Sequence, residues 1–160
     1  MSQKSKYISL LVKAVNNHAI YLWGAQGQKV IKDLTEDIIY KMETSEENAN
    51  RVIRHIQMLE AYGWLTSKTK AYDCSGLVCY CLIACGKEAQ GFDATADQLF
   101  HKYPKVAILR EGCLIHRKGH IATYIGYGYL IEDKGRDYGV VVSPFKADEW
   151  DKEYAYPFND

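Results

Sequence analysis

The sequence has no excess of charge of either sign: its 160 residues hold twenty basic and twenty acidic side chains, for a formal net charge of zero. With no basic stripe and no Lys/Arg cluster along the chain, it lacks the electrostatic footprint of a nucleic-acid binder, and nucleic acid is not an expected partner. It also lacks a long apolar run. The longest, Leu77 to Cys85, is interrupted by the polar edge of Tyr80 and falls well short of the ~20 residues a membrane span needs. A secretory leader is not expected either, since Met1 to Tyr7 is polar and the apolar positions that follow are broken by Lys13, Asn16 and Asn17. Cysteines are few and badly spread for a disulfide scaffold: of five, four crowd between residues 74 and 85. The expectation is therefore synthesis in a reducing cytoplasm with free thiols. If the target lies outside the membrane, delivery must come by another route. No internal repeat, low-complexity tract or linker interrupts the chain, which is expected to form one domain over residues 1–160, long enough to bury a core.

What is present reads as helices first and strands last. Residues 5–17 place Tyr7, Ile8, Leu11 and Val15 at helical spacing. Residues 19–28 lose that period and read as a loop with Tyr21 and Trp23 as aromatic anchors. From Lys29 to Lys70 the chain is charged and helix-rich. Asp33 with Glu36, and Thr44 with Glu47, have the spacing of capping boxes, and Ala49, Val52, Ile53, Ile56 and Leu59 share one face of a helix that stops at Gly63. This stretch is expected to be a solvated lid or wall. Asp73 to Cys85 is apolar nearly all round, as a helix in the centre of a domain would be. Thr95 and Gln98 repeat the capping-box spacing before a helix that must end near Pro104. Beyond it the period becomes two, with strands expected at 113–116, 121–126, 129–133 and 140–143 and a hairpin turn at Gly126-Tyr127-Gly128. Segregated helices and an antiparallel sheet make the fold class α+β.

Chemistry concentrates at the start of the buried helix. A thiol attacks only as thiolate, and a helix N-terminus or a neighbouring imidazolium can depress its pKa. Cys74 follows Asp73, a natural N-cap, and precedes Ser75 and Gly76, the last permitting close approach of a neighbouring backbone or substrate. Cys79, Cys81 and Cys85 lie deeper in the helix and lack that placement. His120, at the start of a strand directly after Gly119, is the candidate base. Its imidazole needs a third polar group to hold it, and two neighbours compete. A strict two-residue turn at Tyr127-Gly128 puts Asp133 on the face of His120, whereas a longer or bulged turn puts Glu132 there. His116 reads as a surface residue rather than a second base, and the three tryptophans as core or loop anchors.

Three segments, Tyr21-Leu22-Trp23-Gly24, Asp73-Cys74-Ser75-Gly76-Leu77-Val78 and Gly119-His120-Ile121-Ala122-Thr123-Tyr124-Ile125-Gly126, resemble in order the motifs of the NlpC-type cell-wall peptidases. The matching stretches run from about Ser5 to Ser143. The resemblance implies a papain-like α+β fold in which a nucleophile-bearing helix packs on a C-terminal antiparallel sheet. It implies a thiol endopeptidase acting on peptidoglycan stem peptides at the γ-D-glutamyl–diamino-acid bond, with Cys74 as nucleophile and His120 as base. Family spacing puts the third catalytic position on Glu132, where most relatives carry His, Asn or Gln. Tyr21 would line the site, and Asp73 and Ser75 would help to bind the amino end of the substrate. The segment 29–70 is longer than the link such relatives have there, and no targeting domain accompanies the motifs. A phage-type or otherwise non-classically released lysin fits both departures.

Neither a cofactor nor a metal is expected. Cys81 and Cys85 share a helix face with Cys74, but no Cys-x-x-Cys or His pair completes a tetrahedral site. The rival activities are an N-acetylmuramoyl-L-alanine amidase of related fold and a transferase using the same thioester chemistry. The non-enzymatic rival is a cell-wall-binding module.

Overall fold

The computed structural model describes residues 1–160. Helix α1 (Gln3–Asn16) is capped by Ser2, whose hydroxyl accepts the Ser5 N–H, and it buries Tyr7, Leu11 and Ala14 on one stripe. The segment expected to be a loop is instead part of a small sheet. Strands β1 (Ile20–Tyr21) and β2 (Gln26–Lys29) flank β3 (Lys70–Tyr72), β1 running parallel and β2 antiparallel to it. Its anchors are aliphatic: Ile20, Leu22 and Ala25 are fully buried, while Trp23 is 51% exposed.

Between β2 and β3 lie α2 (Val30–Asp33), α3 (Glu36–Met42) and α4 (Glu46–Ala61). Both capping boxes expected here shift. Thr35 caps α3 through Ile38 N–H and Ser45 caps α4 through Asn48 N–H, because Asp33 turns back to accept the Lys29 N–H and Thr44 accepts from the Asn48 side chain. Helix α4 buries Ala49, Val52, His55 and Leu59. These helices form a hydrophobic cluster of nine buried residues that includes Ile20, Leu22, Ala25 and Ala71 of the small sheet. The segment is thus more than a lid, since it shares a core with the strands that lead into Cys74.

Helix α5 (Cys74–Ala84) buries residues on every side and belongs to the main cluster of 24 buried residues. Helix α6 (Ala96–Lys102) carries the Thr95/Gln98 capping box and stops before Pro104. Then follow β4 (Lys105–Val106), β5 (Leu114–Arg117), β6 (His120–Gly126), β7 (Tyr129–Asp133), β8 (Val140–Pro144) and β9 (Tyr154–Ala155). They make one antiparallel sheet in the order β4-β9-β5-β6-β7-β8, with α1, α5 and α6 packed against it. The fold is α+β, as the pattern required. No helix is long and apolar enough to cross a membrane.

The β6–β7 hairpin closes with Gly126 opposite Tyr129 around the two residues Tyr127 and Gly128, both left-handed at φ 55° and 84°. The register then slips by one, because Tyr124 faces Leu130 and Thr123 faces Ile131, leaving Ile125 as a bulge.

Candidate active site

The first two motifs meet at the start of α5. Asp73 caps the helix with Oδ1, accepting the Gly76 N–H at 2.6 Å and the Ser75 hydroxyl at 3.2 Å, while its Oδ2 accepts the Gly24 N–H at 2.9 Å. The Asp73 N–H donates in turn to the Ala25 carbonyl at 3.0 Å. That carbonyl comes so close that a Cβ at Gly76 would lie 2.1 Å from its oxygen, so glycine is required there by backbone approach.

The Cys74 thiol is half-buried and donates a long bond to the Gly119 carbonyl at 3.8 Å, and it accepts hydrogen bonds from the Ser75 and Ile121 amides. The residues on either side of His120 therefore both touch the sulfur. Burial, followed by the charge of Asp73, pushes this thiol up to about 11, and the two amides only partly offset that. The helix start alone leaves the thiol above its ordinary value. A thiolate here needs a cation beside it. Burial also raises Asp73 above its ordinary range despite the three hydrogen bonds it accepts.

The bulge decides which acid meets the imidazole. His120 Nε2 lies 2.8 Å from Glu132 Oε1, and Nδ1 makes no hydrogen bond within the chain. Trp150 stacks on the ring at 5.6 Å. Glu132 is 6% exposed. Burial raises its pKa, but hydrogen bonds from His120 and Ser143 outweigh that and hold it below the usual carboxylate range. Asp133 points to the opposite face, is 1% exposed and has no hydrogen-bond partner on either oxygen. Burial first, then the neighbouring Asp73 and Glu132, hold it well above its ordinary value. Of the two acids considered from sequence, Glu132 is the one brought to His120.

Tyr21 lies close enough to Cys74, Asp73 and Asp133 for their charges to act on its phenol, which burial raises above its ordinary range. The Arg136 guanidinium sits 5.0 Å over the Tyr21 ring and forms a two-pronged pair with Glu43 at 2.7 and 3.0 Å. Glu43 also accepts the Trp23 and Thr44 amides. A second such pair, Arg51 with Asp137 at 2.9 and 3.0 Å, joins α4 to the same β7–β8 loop. None of these four residues was foreseen. They lie 86 and 93 positions apart in their pairs, and no local pattern signals them.

His116 is not at the surface. It is 7% exposed, stacked on Phe100 at 4.4 Å, with both ring nitrogens 2.6 Å from carboxylates, those of Asp97 and Asp151. Asp97 also accepts the Gly119 N–H at 3.2 Å, which ties α6 to the turn before His120. No group of three or more His, Cys, Asp or Glu side chains is arranged to hold a metal ion.

The sequence pattern of the NlpC/P60 family matches residues 60–157, which takes in Cys74, His120 and Glu132 and leaves Tyr21 outside. No curated protein matches the chain in sequence. Among solved structures, the P60 domain of an antigen from Mycobacterium avium subspecies paratuberculosis is similar at 17% identity and a TM-score of 0.59, with 98% of each chain covered. RipD of Mycobacterium tuberculosis, described as a non-catalytic NlpC/p60 domain protein adapted to peptidoglycan binding, is similar at 19% identity and a TM-score of 0.60, with 97% of each chain covered. The peptidoglycan hydrolase RipB of the same organism is similar at 16% identity and a TM-score of 0.50, over 99% of this chain and 84% of that one. At such identities the likeness is one of fold.

Proposed function

The chain belongs to the NlpC/P60 family, and from that premise we propose that it is a cysteine endopeptidase that hydrolyses peptidoglycan stem peptides at the γ-D-glutamyl–diamino-acid bond. The observation that carries the proposal is the set Cys74, His120 and Glu132: a half-buried thiol at a helix start, flanked by the neighbours of an imidazole whose far nitrogen is bonded to a buried carboxylate.

In this reading His120 Nδ1 takes the thiol proton, and Glu132 stabilises the imidazolium that results. The ion pair supplies the cation that the raised Cys74 thiol requires. The thiolate attacks the scissile carbonyl, and amides of the first turn of α5 serve as donors to the oxyanion. His120 then passes its proton to the leaving amine, and the thioester left on Cys74 is hydrolysed by water that His120 deprotonates. Asp73 and Ser75, at the mouth of the helix, and Tyr21 above it are assigned to substrate binding. A domain over residues 1–160 with 29–70 as a built-in wall, and action on the cell wall, complete the proposal.

RipD is evidence that this fold also serves without catalysis, but the thiol, imidazole and carboxylate retained here favour hydrolysis. The test is digestion of purified peptidoglycan followed by mass analysis of the muropeptides. New amino-terminal diamino acids are expected. Release of intact stem peptides beginning at L-Ala would establish the amidase instead, and binding without any cleavage would establish a binding module.

A further inference from the structure

Four lysines far apart in the sequence, Lys13, Lys29, Lys68 and Lys70, line one cavity of about 570 Å³. It lies between the C-terminal turn of α1, the end of β2 and the segment entering β3. Ser67 and Tyr80 add hydroxyls, and none of the twenty acidic residues lines it. None of the four lysines forms an ion pair anywhere in the protein; every salt bridge uses other cations. The one lysine with a hydrogen bond from its ammonium, Lys70, spends it on the neutral Tyr80 hydroxyl at 2.5 Å. In a chain whose net charge is zero, this is a local concentration of four positive charges with no internal counter-charge. The carbonyl end of α1 borders the cavity and opposes an anion, but with only about half a negative charge against four positive ones.

The chemistry of the cations narrows the ligand. The planar fork of arginine matches carboxylate and phosphate alike, and the cavity has none; its lysine ammonium groups act as point charges, a recognised way of holding phosphate oxygens, and together they favour a ligand carrying several negative charges. Several ammonium groups around one open concavity suit more than one phosphate, and a compact cluster rather than an extended stripe suits a small or flexible ligand rather than a duplex. We propose that this cavity binds a ligand bearing two or more phosphate groups. None of the residues assigned to catalysis lines it, and the proposal stands whether or not the chain cleaves peptidoglycan.

The probes are inorganic pyrophosphate, a short glycerol phosphate oligomer and a single-stranded oligonucleotide. Each is titrated into the isotopically labelled full chain and followed by backbone amide shifts and calorimetry. Saturable binding of pyrophosphate is expected, with shifts centred on residues around Lys13, Lys29 and 67–70, and it should weaken as salt rises from about 50 to 200 mM. The double variant Lys13→Gln/Lys68→Gln, both at exposed positions, should weaken binding by about tenfold or more with its melting temperature unchanged. Lys29→Gln alone provides the same reading should the double variant fold poorly. Tighter binding of the glycerol phosphate oligomer would identify a phosphodiester polymer as the source, and tighter binding of pyrophosphate a free oligophosphate; either supports the site. No saturable binding up to about 10 mM pyrophosphate, or a loss of less than about twofold in the lysine variants, would overturn it. An oligonucleotide bound more tightly than both other probes would overturn it in favour of a nucleic-acid surface.

Discussion

Glu43 joins the helical segment 29–70 to the site, and removing its partner should unlock both. In Arg136→Met the Glu43 side chain, fully buried, keeps only the Trp23 and Thr44 amides. Breaking a buried pair by removing one partner costs about 3–5 kcal/mol; because Arg136 keeps 15% of its own exposure, the low end, about 3 kcal/mol, applies. For a chain of this size that is a fall in melting temperature of about 6–12 °C. Glu43→Gln should cost somewhat less, since the amide still accepts from the guanidinium. In the double variant the two losses should not add; a coupling of about 2 kcal/mol is expected for groups sharing two hydrogen bonds. The acid limb carries a second signature. Burial raises the Glu43 pKa, but Arg136 and the two amides outweigh it and leave the folded value below the ordinary one. A depressed carboxylate adds stability that is present above the unfolded pKa of about 4.3 and lost as pH falls through the folded value, so Arg136→Met should flatten the acid limb of the stability curve. Because Arg136 also lies over Tyr21, kcat/KM on peptidoglycan fragments should fall by roughly tenfold. Urea unfolding across pH, with kinetics on the same preparations, measures all of this. An Arg136→Met protein within about 0.5 kcal/mol of the parent, or additive single losses, would refute the reasoning.

Cys74→Ala should abolish hydrolysis at unchanged melting temperature, whereas Cys81→Ala, at 1% exposure, should cost about 1–2 kcal/mol and leave the folded fraction active; a well-folded, fully active Cys74→Ala protein would remove the nucleophile assignment. Glu132→Ala should lower kcat by about 10- to 1000-fold and Glu132→Gln by less, because an amide oxygen can still accept the ring N–H; equal loss in both would show that charge rather than orientation matters. Asp133→Asn should make the protein more stable at neutral pH and should flatten the neutral limb of its pH profile. A carboxyl whose folded pKa is raised loses stability as pH climbs from its unfolded value towards the folded one, and a parent whose stability does not fall over that range would contradict this. Gly76→Ala should unfold or inactivate the protein, since its Cβ meets a backbone carbonyl that cannot move without breaking the Asp73–Ala25 bond; a stable, active variant would mean that α5 starts differently.

Much of the architecture was legible because its elements are long enough to show a period. Helix α1 repeats its stripe over four turns and α5 is apolar on every side, while β6 and β7, expected to alternate, are buried on both faces over Ile121–Thr123 and Leu130–Asp133. The small sheet was not legible for the converse reason. Two residues at Ile20–Tyr21 and three at Lys70–Tyr72 cannot display alternation, and they pair only because the intervening residues 22–69 fold back between them. The shifted caps have a local cause: several Ser, Thr and Asp side chains compete for the same amides, and packing chooses among them. His116 illustrates a further limit. An imidazole on a strand looks like a surface residue until two carboxylates from elsewhere, Asp97 and Asp151, arrive to satisfy both nitrogens. The lysine cavity is the same effect at the level of charge, since a sequence without a basic cluster still folds into a surface that has one.

The site itself rests on parity. From a two-residue turn at Tyr127-Gly128, unbroken pairing would set His120 across from Gly135 and on the same face as Asp133. The turn is of that kind, with both residues left-handed. The sequence argument for Asp133 was therefore sound in its premise about the turn. It fails at Ile125, where one residue leaves the ladder, so that the register continued down the strands sets His120 across from Lys134 and beside Glu132. The same slip turns Asp133 inward, where it has no hydrogen-bond partner and burial raises its pKa. A single main-chain irregularity thus places adjacent acids in opposite settings: Glu132 is held below its ordinary value against the imidazole, and Asp133 is held above its own on the other face. Strand alternation does not register the residue that leaves the ladder at Ile125, so the spacing shared with relatives pointed to Glu132 where alternation alone could not.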